Sequence, residues 1–287
     1  LEDAERILEW LEAYHIYQRR KLMMVKTLLT DEDQIDKTRV NLDLALTAKM
    51  RQQFPQLPDE IMMRLIPHLD VLQTEDFGSR LPWNRAKRRR LMKAKHIVLH
   101  LFSGPDQAFW DKQCSSATTE ILCVDTTLST AANLHDRSVF GFLLMLCATG
   151  RVRAIWGGPP CRTLSALRYQ GDSGPGVLRD DQHPYGLPTL SPGDLELVQG
   201  DTILMFRFWS LFMIAEEVRD LNLPPTQFYM EQPEDPAQYR DQQDVQKHKY
   251  FSIFRTAEWK LLAETYNLSV LSFDQFPMRS EEHTSEL

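Results

Sequence analysis

At 287 residues, with 43% hydrophobic and 25% charged side chains, the chain is long enough for one large domain with an appendage or for two modest domains. Its aromatic and apolar content argues against wholesale disorder, and its net charge of −7 does not mark it as a nucleic-acid binder, although such an average hides local basic faces. No apolar run near the roughly 20 residues of a bilayer span is legible, and the N-terminus lacks the order of a signal peptide, so an intracellular location and no membrane partner are expected.

Four cysteines, Cys114, Cys123, Cys147 and Cys161, are spread without a C-x-x-C pair or a histidine at ligand spacing, so neither a disulfide framework nor a metal site is expected. Both ends read as artificial. The chain opens on Leu1, and residues Arg279 to Leu287 read as a translated sequencing-library adapter, so 279–287 are set apart and the natural chain is expected to continue past Met278.

Residues 1–81 read as a helical N-terminal region. Ile7, Leu8, Leu11 and Tyr14 recur at helical spacing, Thr30 to Asp33 offers a break and a helix start, and Val40 to Met50 continue a less regular pattern to about Met63. Pro55, Pro58 and Pro67 punctuate the segment, and a boundary falls near Leu81-Pro82-Trp83. Residues 82–96 form a basic linker or helix in which Arg85, Lys87, Arg88, Arg89, Arg90, Lys93 and Lys95 cluster. That run reads either as a solvated face or as a contact for DNA phosphates or a nuclear-localisation signal.

From Ile97 to Met278 strand and helix patterns alternate. Apolar runs at Ile97 to Phe102, Glu120 to Asp125, Val152 to Trp156, Gln227 to Glu231 and Leu268 to Phe273 read as strands, with a very short one at Leu134 to Asp136. Val139 to Cys147 reads as a buried helix, Asp194 to Leu221 as a long amphipathic one and Ser252 to Tyr266 as another, with a Gly/Pro-rich loop from Arg162 to Gly193. The alternation predicts an α/β fold with a parallel sheet covered on both faces, its ligands outside the carboxyl ends of the strands. The residues at those ends are Phe102, Ser103, Gly104, Asp125, Asp136, Gly157 to Arg162 and Glu231.

Gly157-Gly158-Pro159-Pro160 leads out of a strand into Cys161. Two glycines permit positive φ and close approach, and two prolines fix φ, so the thiol is presented in one direction, as a nucleophile needs. A cysteine after such a turn is otherwise a small buried hydrophobe. Glu231 emerges from the apolar strand Phe228-Tyr229-Met230; burial there would raise its pKa, and its other reading is a capping or loop acid. A thiolate that attacks an electron-poor ring carbon, paired with a carboxyl that protonates a ring nitrogen, is the minimal equipment for activating cytosine.

The blocks Leu101-Phe102-Ser103-Gly104, Asp125, Gly158-Pro159-Pro160-Cys161 and Glu231-Gln232-Pro233 resemble, in order and content, the AdoMet-binding, PPC and ENV/ENP motifs of the DNA cytosine-5 methyltransferases, over Ile97 to Phe276. Their wording, from His100 to Gly104, Gly158 to Thr163 and Glu231 to Pro236, is also similar to methyltransferase-like domains of dinoflagellate retrotransposon-derived polyproteins. The resemblance implies a Rossmann-like sheet of the class I AdoMet-dependent methyltransferases, C-terminally truncated and carrying a helical N-terminal extension. It implies S-adenosyl-L-methionine as cofactor, with Phe102, Ser103, Gly104 and Pro159 beside it, Asp125 on its ribose hydroxyls and Asp136 at its adenine amine. It further implies that Cys161 adds to C6 of a flipped cytosine in DNA and that Glu231 meets N3, with Arg162 lowering the thiol pKa or holding a phosphate.

The chain departs from the pattern at several places. Asp106 stands where the first motif has a second glycine, Arg162 replaces a glutamine after the nucleophile, and Gln232 replaces an asparagine after Glu231. The arginine-bearing motif after the last strand, the target-recognition region and a C-terminal helix are not recognisable. A second reading therefore stands beside the first: a catalytically degenerate methyltransferase fold acting as a nucleic-acid-binding or assembly module of a mobile-element polyprotein.

Overall fold

The computed structural model describes residues 50–65, 81–105, 109–110, 112, 115–169, 175–219, 222–239, 241, 243 and 250–272. The readings for residues 1–49, for Asp106 and for the 279–287 tail lie outside these.

Three short runs rich in β-branched and aliphatic residues form the strands β1 (His96–Leu101), β2 (Thr119–Val124) and β3 (Val152–Gly157), and one built on aromatic residues forms β4 (Gln227–Met230). All pair in parallel, in the order β2-β1-β3-β4. The result is an α/β fold with a four-stranded parallel sheet, compatible with a Rossmann-like architecture, and its strand order reverses between β1 and β3. The registers align Leu99 with Leu122 and Ile155, and His100 with Cys123 and Trp156.

The helices are α1 (Asp59–Leu65), α2 (Arg85–Lys93), α3 (Arg137–Ala148), α4 (Pro192–Glu217), the short α5 (Pro236–Tyr239) and α6 (Ala257–Tyr266). Asp136 caps α3, its Oδ1 accepting from the Ser138 and Val139 amides at 2.8 and 3.0 Å. Ser191 caps α4 ahead of Pro192, which lacks the amide that a first helical position does not need. Helix α6 ends on Asn267, whose φ of 52° is the left-handed stop that asparagine tolerates.

Helix α4 is not amphipathic. Its residues from Asp201 to Met213 are all buried, because the helix is enclosed on two sides. Phe208 and Phe212 meet Phe228 of β4, with centroids 5.1 and 4.4 Å apart, while Phe206 and Trp209 meet Phe54, at 4.7 and 6.0 Å. By length and composition this helix could cross a membrane, although Asp201 and Arg207 interrupt its apolar run, but 78% of its most apolar window is buried inside the protein. Each large side chain fully withdrawn from water in this way contributes about 1.5–3 kcal/mol. Met50, Phe54, Leu57, Ile61, Met62 and Leu65 belong to the same core as Leu99, Leu101 and Ile155.

Three further expectations change. Leu134 to Asp136 is no strand: the Asn133 side chain accepts the His135 amide at 2.9 Å and Asp136 caps α3, so local side-chain bonds turn the chain. Leu268 to Ser272 is not in a strand either, Phe273 lying outside the described residues. Ser252 to Tyr266 divides into a 3-10 turn, Ile253–Arg255, and α6.

The basic run does form a helix, yet part of it faces inward. Lys87 is buried, with its ammonium 2.7 Å from the buried Glu120 of β2, and Arg90 reaches the same carboxylate at 3.0 Å. Arg88 donates to the Trp83 carbonyl, and the Arg151 guanidinium donates to the Leu91, Met92 and Ala94 carbonyls that α2 leaves open. Arg85 and Arg89 are exposed.

The sheet face turned away from α3 and α4 carries an aromatic row. His100 meets Trp110 and Trp156 edge-on at 4.5 and 5.6 Å, and Trp156 meets Tyr229 at 6.5 Å. Burial pushes the His100 pKa down to about 4, against a smaller upward pull from the Asp125 carboxylate. The unfolded chain, with a histidine near 6.5, therefore binds this proton more readily than the folded one, so the contribution is complete above pH 6.5 and is lost as pH falls toward 4. Urea unfolding is expected to show roughly 2–3 kcal/mol of stability lost across that window through this group. His100→Phe should flatten that part of the pH profile, and an unchanged slope in the variant would refute the assignment.

Candidate active site

The site forms where β1 and β3 end. Gly157 pairs with Leu101, and a Cβ placed on Gly157 would lie 2.0 Å from the Leu101 carbonyl oxygen, so no other residue fits. This is the close approach anticipated for the glycine pair. The positive φ is not: neither Gly157 nor Gly158 adopts one, and beside this junction Phe102, at 57°, and Gly104, at 70°, do so instead. For Phe102 that conformation costs on the order of 1–3 kcal/mol. It is held by the Phe102 amide donating to the Val124 carbonyl at 2.8 Å and by the ring meeting Phe208 edge-on at 6.1 Å.

Two groups of side chains flank the junction. In the first, the Asp125 carboxylate ties the loops after β1 and β2 together: Oδ2 accepts the Gly104 amide at 2.9 Å, and Oδ1 accepts the Thr127 amide and hydroxyl at 2.7 and 2.6 Å. Burial pushes this carboxyl upward, but the bonds from Thr127 and Gly104 and the nearby His100 outweigh it and hold it below the ordinary range. With two oxygens and about four acceptor sites, Asp125 keeps one site on Oδ2 for an outside donor. Ser103 is half-buried, its hydroxyl donating to the Gly104 carbonyl at 3.4 Å, and the space where a Gly104 Cβ would stand is open.

In the second group, the segment after β4 is clasped to the turn after β3. The Glu231 amide donates to the Gly157 carbonyl at 3.1 Å, and the Gln232 side-chain amide donates to the Pro159 carbonyl at 2.6 Å. A Cβ on Gly158 would stand 3.9 Å from Glu231 Oε2, so the carboxylate lies against the glycine-proline turn. The structure thus brings Glu231 to the turn that carries Cys161. Pro159 is buried and Cys161 is exposed, so the thiol is not the buried hydrophobe of the other reading. Glu231 is exposed as well, and the burial expected of it is absent.

Arg162 is turned toward the core helix. It forms a forked pair with Asp201 of α4, Nη2 to Oδ1 at 2.9 Å and Nε to both oxygens at 3.2 Å, Asp201 being almost wholly buried and Arg162 61% exposed. The pairing anchors the Cys161 turn to the core helix. Asp136, spent on capping α3, shares no hydrogen bond with either group among the described residues, and its charge acts on Arg207 instead.

Two functional supports escape a reading of the sequence. Arg179, buried, donates to Thr163 Oγ1, Thr202 Oγ1 and the Val198 and Pro184 carbonyls, and so fastens the long loop after Cys161 to α4. Burial lowers its pKa to about 10. Arg207, also buried, lies over the Phe140 ring at 4.6 Å. Its signal in the sequence is an arginine within the apolar run Met205-Phe206-Arg207-Phe208, where a charge is rarely placed without a purpose. Among the described residues no group of three or more His, Cys, Asp or Glu could hold a metal ion.

Gly157→Ala is expected to lower stability by about 3 kcal/mol or more, because neither backbone can yield. Gly104→Ala, with open space but positive φ, should cost only about 1–2 kcal/mol. Equal urea midpoints for the two variants would contradict the close approach of β3 to β1. Comparisons with protein-family models, with characterised proteins and with solved structures found no match to this chain.

Proposed function

We propose that the chain is a DNA cytosine-5 methyltransferase-like domain of class I AdoMet-dependent type, with Cys161 as nucleophile and Glu231 as its acid partner. The observation that carries this reading is the clasp that holds Glu231 and Gln232 against the turn bearing an exposed Cys161. A strand order that reverses between β1 and β3 supports it, since ligands of open α/β sheets sit at that crevice.

The residues present suit the cofactor. Asp125 keeps an acceptor site for a ribose hydroxyl, and the open space at Gly104 lets a ligand approach the backbone beside Phe102 and Ser103. When bound, AdoMet supplies an electrophilic methyl group. The chain's own residues do the rest. The Cys161 thiolate forms a bond to C6 of a cytosine turned out of the stack, and the C5–C6 π electrons move toward C5. A proton shared from Glu231 to N3 neutralises the charge that would otherwise build on the ring. After the methyl group is in place at C5, loss of the C5 proton returns an electron pair that expels Cys161 and restores the ring.

The exposure of Glu231 favours the second reading, a catalytically degenerate fold kept as a nucleic-acid-binding or assembly module. One experiment separates the two. A DNA duplex containing 5-fluorocytosine, incubated with the full chain and AdoMet, should give an adduct stable to denaturing electrophoresis, since fluorine blocks the final elimination. Cys161→Ala should abolish the adduct while AdoMet affinity by calorimetry stays within about twofold of the parent. Intact AdoMet binding without any adduct would leave the degenerate module as the function.

A further inference from the structure

We infer that an open groove beside the Cys161 turn, between the start of α3 and the first half of α4, is a binding site for the phosphodiester backbone of nucleic acid. The inference rests on the reading above for the identity of the polyanion, though not for the positive charge of the groove.

The groove has a volume of about 590 Å³ and is lined by Arg64, His135, Arg137, Arg162 and Arg207, with Glu196. Its floor is a cation that the fold has not neutralised. Arg207 is 3% exposed, and among the described residues it donates to the Leu134 and Arg64 carbonyls at 2.6 and 2.8 Å while its buried Nε meets no acceptor. No carboxylate pairs with it among the described residues. A buried charge without a counterion is costly, and here Arg137 and Arg64 add repulsion that Asp136 only partly offsets; burial and these neighbours lower the Arg207 pKa to about 10.

Arg137 is also misplaced for stability. It is the first residue of α3, a helix of 12 residues, where the positive end of the dipole favours an acid. Arg64 is paired with Glu196 at 2.9 Å and Arg162 with Asp201, so among the described residues the exposed Arg137, the exposed face of Arg162 and the buried charge of Arg207 remain for a ligand. Desolvation holds His135 below its ordinary range, and the nearby Arg207, Arg64 and Arg162 charges act in the same direction against an upward pull from Asp201.

An enclosed pocket would suit a small anion. This groove is open and begins at Arg162, the residue after Cys161, which suits an extended chain of phosphates on either side of a base at the thiol. It also differs from α2, whose Lys87 and Arg90 are engaged with Glu120.

The test measures fluorescence anisotropy of the full chain with a labelled DNA duplex of about 20 base pairs over a series of salt concentrations. Arg137→Glu is expected to weaken binding at least about tenfold and to reduce the salt slope by about 1–2, while its melting temperature holds or rises because an acid suits the helix start. Arg85→Glu on α2 should change affinity by less than about twofold. Arg137→Glu binding as tightly as the parent, Arg85→Glu losing as much, or a parent that does not bind the duplex would each overturn the inference. So would competition by millimolar pyrophosphate as effective per molecule as unlabelled duplex, which would mark a small-anion site. A loss confined to AdoMet affinity would overturn it too. Failure of the 5-fluorocytosine adduct with Arg137-dependent duplex binding intact would remove the catalytic reading and leave the groove standing.

Discussion

At Gly157 the backbone of β3 passes so close to the Leu101 carbonyl that only hydrogen fits on the α-carbon. The contact lies at the carboxyl ends of the two strands between which the sheet changes direction, so the chain leaving β1 and the chain leaving β3 depart from one point. Each then meets a partner from the neighbouring strand. Phe102, forced to positive φ, is followed by Gly104, whose amide is caught by Asp125 of the β2 end. Gly157 offers its carbonyl to Glu231 of the β4 end. Four strand ends are thereby tied by backbone bonds and one carboxylate, and the candidate nucleophile sits four residues along from the tightest of them.

Rigidity on the far side of Cys161 comes from α4. The turn through Arg162 and Thr163 is fixed to Asp201 directly and to Val198 and Thr202 through Arg179, all on consecutive turns of that helix. An ion pair with one member in water and the other buried contributes little net stability, but removing Arg162 would leave the Asp201 carboxylate unanswered. The pair therefore fixes where the turn lies more than how tightly the fold holds. The same helix fills the core with Phe208, Trp209 and Phe212, so the position of the thiol depends on hydrophobic packing as much as on polar contacts.

The four strands were legible because each is a short apolar run closed by glycine, an acid or a turn, and a buried parallel strand needs nothing more. The candidate site residues Asp125, Cys161 and Glu231 follow from the rule that places ligands at strand ends. What stayed hidden depends on distant neighbours or on competition between local bonds. Asn133 and Asp136 convert an apparent strand into a cap, and the enclosure of α4 by Phe54 on one side and Phe228 on the other turns an amphipathic pattern into a central helix. The basic run held a further lesson: Lys87 is opposite Glu120, 33 residues away, and spacing cannot reveal which member of a charged helix a sheet edge will absorb.

Net charge and local field point in opposite directions in this protein. A surplus of seven acidic groups over basic ones makes the molecule as a whole unattractive to a polyanion, and it does so over a range that physiological salt reduces to about 8 Å. Within that range only the nearest groups act. In the groove those are four arginines against Asp136, Glu196 and Asp201, and the least screened of them is Arg207, since it is withdrawn from water. On the proposed reading, this local field would draw a phosphate chain to the side of the fold where Cys161 is exposed. On that reading, the cation that weakens the start of α3 serves a ligand at a cost to the stability of the empty fold.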